Sequence, residues 1–270
     1  MKKIFQLKPT SSLIITTYNN PKTLELVLMA IKNQNVLPNE VIVADDGSTI
    51  ETKELIGSFV LDFPVPIVHV WQEDIGFRAA TIRNKAIAIA SFDYIIQIDG
   101  DIITNKNFIK DHLQYATLNQ FLFGSRVNIK QSFVNELYLK KILKFTFFSK
   151  GIKNRFRTLR IPFFTKFIKQ NHIISAKLRG CNMSYWRKDA IKINGYDESF
   201  FGWGGEDSEF GNRLHNAGIA GKRLKFAAVV YHIYHFEKDK SNLDDNINIQ
   251  MKSRNEKLSF TTDGIDKYLN

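Results

Sequence analysis

The chain has 270 residues, a formal net charge of +11 and a single cysteine, with 44% hydrophobic and 24% charged residues. That length holds one large α/β domain or two small ones, and the fractions are ordinary for a globular protein in water. The lone Cys181 rules out an intrachain disulfide and fits a reducing compartment. The start, MKKIFQLKPTSS, has two lysines but no apolar stretch of the kind a secretory leader needs. No window reaches the roughly 18 uninterrupted apolar residues of a spanning helix. The expectation is a cytoplasmic protein.

In chain order, Leu13 to Tyr18 reads as a first buried strand. Asn20 is a helix cap with Pro21 at the first helical position, and Leu24, Val27, Leu28 and Ile31 recur at helical spacing. A second strand, Val41 to Ala44, ends in Asp45, Asp46, Gly47 and Ser48. A helix near 51–59, a strand over 67–71 and a helix over 79–90 follow. Next comes YIIQIDGD, an apolar strand delivering Asp99 and Asp101 on either side of Gly100. Strand and helix in alternation predict an α/β fold with a mainly parallel sheet flanked by helices. Ligands of such sheets bind at the carboxyl ends of the strands. No Gly-x-Gly-x-x-Gly follows the first strand and no Walker loop occurs, so a nucleotide would be held by other means. Asp-Asp-Gly-Ser can offer a carboxylate to the imide N–H of uracil, and it equally suits a tight turn. Asp-x-Asp can share a hard divalent cation, and it also occurs in solvated turns.

A helix near 105–118 and a strand over 121–127 precede a basic block. From Lys130 to Lys169 there are eleven Lys or Arg against one acid, Glu136, with nine aromatics among them. Almost the whole charge excess sits in this segment, a distribution unlike that of a uniformly basic nucleic-acid binder. Its apolar residues predict amphipathic helices broken at Pro162. Such a face binds anionic membranes or is simply solvated.

The chain reads as extended over 173–185, and then comes GYDESFFGWGGEDSEFGNRLHNAG. Phe210, Leu214 and Ala217 mark the inward stripe of a helix that Gly218 ends, and Asp207 lies on that stripe one turn ahead. A strand over 226–232 leads to His232 and His235, each a candidate metal ligand or an ordinary structural histidine. The tail after Glu237 is polar.

Three motifs stand in fixed order: Asp-Asp-Gly-Ser, Asp-Gly-Asp and Gly-Trp-Gly-Gly-Glu-Asp. The joint pattern resembles glycosyltransferase family 2, whose fold is the Rossmann-like GT-A arrangement. The third motif is similar to the carboxy-terminal region of galactosyltransferases and chondroitin-type polymerases. The resemblance covers roughly 12–235 and leaves out the basic block. It implies a nucleotide-sugar-binding half (1–127), a basic helical insertion (128–172), an acceptor and catalytic half of the same domain (173–236) and a tail (237–270). It further implies that Thr17, Tyr18, Asp46 (with Asp45 before it) and Arg83 surround the nucleotide, and that Trp203, Gly204 and Gly205 wall the sugar site. Asp99 and Asp101, with Gly100 between them, match the metal-binding motif, and His232 matches the histidine that completes it, with His235 close enough to compete. Asp207 matches the catalytic base, with Glu206 beside it.

The activity implied is inverting transfer of a hexose or N-acetylhexosamine from a UDP-sugar to a hydroxyl of a glycan or lipid-linked glycan. It would use Mn²⁺ or Mg²⁺ and serve bacterial surface polysaccharide such as lipopolysaccharide or capsule. Residues 130–169 would let the enzyme sit peripherally on the inner face of the cytoplasmic membrane, and no nucleic acid is expected as a partner. A helix N-terminus ahead of Asp207 is expected to lower its pKa. The competing reading is a non-catalytic sugar- or nucleotide-binding module on the same fold; the intact set of acids speaks against it.

Overall fold

The computed structural model describes residues 9–171, 175, 177–236 and 239–269. Strand and helix alternate through the first half: β1 (Ser11–Thr17), α1 (Pro21–Lys32), β2 (Glu40–Asp45), α2 (Ile50–Val60), β3 (Ile67–Trp71), α3 (Ala79–Ile89) and β4 (Tyr94–Asp99). Each helix carries the chain back to the same end of the sheet, so β1 pairs in parallel with both β2 and β4, and β2 with β3. The start of α1 follows its sequence: the Asn20 side chain accepts from Thr23 N at 3.3 Å and Pro21 opens the first turn.

The second half adds β5 (Ile102–Thr104), α4 (Phe108–Tyr115), β6 (Gln120–Phe123), β7 (Arg126–Asn128), α5 (Val134–Lys140), α6 (Pro162–Thr165) and β8 (Met183–Trp186). It closes with α7 (Arg187–Lys192), α8 (Glu206–Asn216), β9 (Ala220–Arg223), β10 (Val230–His232) and α9 (Leu243–Asn255). The main sheet has seven strands in the order β3-β2-β1-β4-β8-β6-β9. Only β8 runs against the rest, pairing antiparallel with β4 and β6. A second sheet, β5-β10-β7, stands beyond the carboxyl end of β4.

Side-chain alternation along β1 divides the core in two. Leu13 and Ile15 pack with Leu24, Val27 and Ile31 of α1, whereas Ile14 faces Ile82, Ala86, Phe210 and Leu214. Each such fully buried Leu, Ile, Val or Phe side chain contributes about 1.5–3 kcal/mol relative to exposure. A third cluster, with Ile103, Val127, Leu137, Phe145, Ile152 and Tyr231, fastens the basic segment to the small sheet.

Several elements differ from the sequence reading. The strand expected over 121–127 is two strands in different sheets, because Gly124 N donates to Asn182 O at 2.9 Å and the Asn182 side chain fills the space a Cβ would need. The strand expected over 226–232 shrinks to β10, since Phe226 and Ala228 adopt positive φ and cannot lie in a ladder. The extended stretch begins its ladder only at Met183, after a turn at Gly180–Asn182, and positions 173, 174 and 176 lie outside the described residues. The basic block holds two short α-helices, α5 and α6, with a 3-10 turn at Arg155–Thr158 between them; Pro162 opens α6 where a break was expected, and α5 stops where Lys141 turns left-handed at φ 45°. The polar tail forms α9, which packs on α8.

Candidate active site

The carboxyl ends of β1, β2 and β4, the start of α8 and the chain around β10 enclose a cavity of about 710 Å³. Gly100 shapes its floor. Its N–H donates to Thr16 O at 2.7 Å, and a Cβ there would lie 2.9 Å from Thr17 Oγ1. The turn at this glycine sends the two flanking carboxylates to different partners.

Asp101 turns toward β10, where Ile233 N donates to its carbonyl at 2.9 Å. Its Oδ2 lies 3.4 Å from His232 Nε2 and 3.2 Å from His235 Nε2. One ligand atom from each of Asp101, His232 and His235 lies within 4.8 Å of the others. Burial opposes ionisation of Asp101, yet hydrogen bonds and charge from His232 and His235 hold its carboxyl well below the usual range. Its Oδ1 is buried without a hydrogen-bond partner among the described residues. An orphaned carboxylate oxygen beside two imidazoles is a donor set that fits a divalent cation. Asp99 stands outside this cluster, which differs from the set of Asp99, Asp101 and His232 expected from sequence. Its Oδ1 instead accepts from Arg83 Nη2 at 3.3 Å, because it ends β4 on the side facing α3.

Arg83 is the joint between the halves. It is buried on α3, donates from Nη1 to Glu206 Oε1 at 2.8 Å, and lies 5.3 Å from the Tyr196 ring centroid. Burial alone would weaken its charge; Glu206 and Asp99 outweigh that and raise its pKa.

Glu206 and Trp203 line the cavity, whereas Asp207, the expected base, sits half-buried beside Glu206 and is not among the lining residues. Asp207 Oδ2 accepts from Gly180 N at 2.5 Å, and Gly180 O in turn accepts from Gln97 Nε2 at 3.1 Å. Burial, then the charge of Glu206, raise the Asp207 pKa to about 6 against the pull of Gly180 and Arg83. The expected lowering by the helix N-terminus is thus outweighed. Gly205 caps α8 at φ 97°, where a Cβ would meet Phe200 at 2.9 Å. Gly204 and Gly205 back onto Leu243 and Phe200 and are not among the cavity-lining residues, unlike Trp203.

At the other end, Thr17, Tyr18 and Asp46 line the cavity. Asp46 accepts from Arg78 N at 2.8 Å and from Gln72 Nε2 at 2.5 Å. Asp45, expected beside the nucleotide, does not line the cavity: its side chain is wholly buried, accepting from Ser48 N at 2.8 Å and bonding His69 Nε2 at 2.9 Å. It builds the turn that presents Asp46. Sequence reasoning missed Arg126, Asn128, Lys153 and Lys240, which also line the cavity. None belongs to a motif, and only their placement in the fold brings them there.

Residues 12–184 match the family model described as glycosyl transferase family 2, which is more than half of the chain. The chain belongs to that family. Residues 164–236 of this glycosyltransferase match a second model, described as the N-terminal domain of galactosyltransferase. Chondroitin synthase of Escherichia coli is 29% identical over 239 residues, covering 82% of this chain and 34% of that protein. Validoxylamine A glucosyltransferase of Streptomyces hygroscopicus subsp. limoneus is 29% identical, covering 78% of this chain and 49% of its own. Hyaluronan synthase of Pasteurella multocida is 28% identical over 86% of this chain and 26% of its own. The glycosyltransferase therefore spans half or less of each of these relatives. Among solved structures, GalNAc-T7 with UDP, GalNAc and Mn²⁺ superposes with a TM-score of 0.66 at 14% identity, over 97% of this chain and 53% of that one. A mannosyltransferase from Pyrobaculum calidifontis with GDP-Man and Mn²⁺ gives 0.59 at 18%, over 84% and 57%. These likenesses show the fold, GT-A.

Proposed function

We propose that this family 2 glycosyltransferase moves a hexose or N-acetylhexosamine from a UDP-sugar to an acceptor hydroxyl, with inversion at the anomeric carbon. The observation that carries the reading is convergence: Asp46, the Asp99–Arg83–Glu206 bridge and the Asp101–His232–His235 cluster all face one cavity. Asp46, which lines the cavity with Thr17 and Tyr18, would present its carboxylate to a uracil imide. Asp101, His232 and His235 would hold Mn²⁺ or Mg²⁺, whose chemistry there is to neutralise the charge growing on the departing diphosphate. Two imidazoles favour Mn²⁺ over the harder Mg²⁺.

Asp207 takes the proton of the attacking hydroxyl. Glu206 is already engaged by Arg83, whose Nη1 donates to its Oε1, and so is held in place beside the base. A carboxyl raised to about 6 is ionised at neutral pH and still binds a proton readily, which is what a general base requires. Glu206 and Trp203 would orient the sugars. Asp207→Asn should abolish transfer while leaving UDP binding intact, and unchanged turnover in that variant would falsify the assignment.

The acceptor we infer is a glycan or lipid-linked glycan of a bacterial surface polysaccharide, in keeping with the chondroitin and hyaluronan synthases this chain resembles. Among the described residues no helix is long and apolar enough to cross a membrane. The basic segment instead exposes Phe148 (86%), Phe163 (60%) and Phe167 (68%) among its cations, a composition that supports docking on an anionic bilayer.

A further inference from the structure

One row of residues crosses the small sheet from the Asp101–His232–His235 cluster into the basic segment. His232 is in register with Ile102, next to Asp101, on one side and with Asn128 on the other. Lys153 N then donates to Asn128 O at 2.7 Å, Lys130 N donates to Gly151 O at 2.7 Å, and Ile129 bridges to Ile152. The segment at 151–153 therefore extends the sheet beyond β7. With strands about 4.8 Å apart, the Lys153 backbone lies roughly 10 Å from that of His232. Buried Ile152, Leu137 and Phe145 fix it there, so the cation is presented by packed structure.

Three polar side chains of this stretch line the cavity, Arg126, Asn128 and Lys153, beside Ile129. Arg83, the cation at the opposite wall, is spent on Glu206 and Asp99. Among the described residues no carboxylate lies within ion-pair distance of Arg126 or Lys153, and the Arg126 guanidinium makes only a long 4.0 Å contact to Cys181 Sγ. Between them, Asn128 Oδ1 is buried with no hydrogen-bond partner among the described residues. A planar guanidinium and a point-charge ammonium suit phosphate oxygens, and an unpartnered carboxamide oxygen suits a hydroxyl. The remaining cations of the basic segment would raise the local concentration of such a ligand.

We propose that Arg126 and Lys153, with Asn128, form a subsite for a phosphate group carried by the acceptor, a sugar phosphate or a phosphorylated lipid-linked glycan. The acceptor assignment rests on the transferase reading above; the anion site itself does not. Lys153 and Asn128 lie on the far side of His232 from Asp101. A donor diphosphate drawn to Asp101 and the two histidines therefore leaves them available.

Calorimetric titration with inorganic pyrophosphate in EDTA isolates this subsite from cation chemistry. The native protein should bind pyrophosphate, and the Arg126→Ala/Lys153→Ala double variant should bind it about tenfold or more weakly. Lys153→Arg should stay within about threefold of native. UDP with Mn²⁺ should bind all three proteins alike, which also reports that the variants are folded. Equal pyrophosphate binding by native and double variant, or none by the native protein, overturns the subsite. A parallel loss of UDP affinity in the double variant overturns the acceptor assignment and gives the two cations to the donor. If the native protein failed to bind UDP, the donor reading would fall while the pyrophosphate comparison kept its meaning.

Discussion

Replacing Arg83 with Met tests whether one guanidinium holds the two halves of the site together. The substitution keeps length and apolar stem but strands Glu206 and Asp99, whose side chains are 13% and 33% exposed. Removing one partner of a buried ion pair costs about 3–5 kcal/mol. The partial exposure of both acids to cavity water discounts this to about 2–4 kcal/mol. At about 2–4 °C per kcal/mol for a chain near this size, the melting temperature should fall by roughly 4–16 °C. The measurement is a thermal melt in EDTA and again in Mn²⁺. With Arg83 gone, Asp99 is released toward the cation site, so Mn²⁺ should recover more stability in the variant than in the native protein. Arg83→Lys, able to reach one partner at a time, should fall between. A melting temperature within about 2 °C of native in EDTA would refute the idea that Arg83 carries this junction.

Because burial raises Asp207, the rate of transfer should climb as pH passes through about 6, and Asp207→Asn should remove that limb along with the activity. A carboxyl whose pKa rises on folding contributes stability at low pH that is lost as pH increases through about 6. The same variant should therefore melt higher than native at pH 8 and lose the advantage near pH 4. Separate alanine variants of His232 and His235 should each weaken Mn²⁺ binding by about tenfold or more, read by the metal concentration that half-restores EDTA-stripped enzyme; an effect at only one histidine would shrink the ligand set. Gly100→Ala places a Cβ 2.9 Å from Thr17 Oγ1 and should cost about 1–3 kcal/mol while separating Asp101 from the histidines, seen as lost metal affinity. Changing Phe163, Phe164 and Phe167 to Ser should abolish pelleting with anionic liposomes, and native pelleting should weaken with salt; salt-indifferent pelleting would argue against the docking face.

The carboxylates were readable because the chemistry dictates both their type and their place at strand ends, where apolar runs announce them. Which oxygen faces which partner was not. The resemblance gives both Asp99 and Asp101 to the metal, Asp101 more directly, and only the turn at Gly100 against β1 shows one sent to Arg83 and the other to the histidines. His232 and His235 competed for one role because a strand end followed by an unknown turn hides whether both imidazoles can aim at Asp101. The resemblance gives the uracil to Asp46 with Asp45 before it, but does not reveal that His69 and Ser48 take Asp45 out of the cavity altogether. Arg126 and Lys153 were out of reach altogether, since their place depends on pairing between β7 and a segment some 25 residues on. The break between β6 and β7 comes from Asn182, far along the chain, and α9 stayed hidden because so polar a helix shows no apolar stripe; among its residues only Asn246 and Ser253 are buried.

The position of β8 has a consequence for how this polypeptide can be divided. Until residues 183–186 arrive, the hydrogen-bonding rim of β4 stands open and β6 has nothing to join it to the parallel strands. A fragment ending before the basic segment would carry most of the nucleotide-facing acids yet expose that apolar rim as a template for pairing between molecules. Such a fragment should precipitate, and supplying the missing stretch on a second chain should restore solubility before it restores anything else.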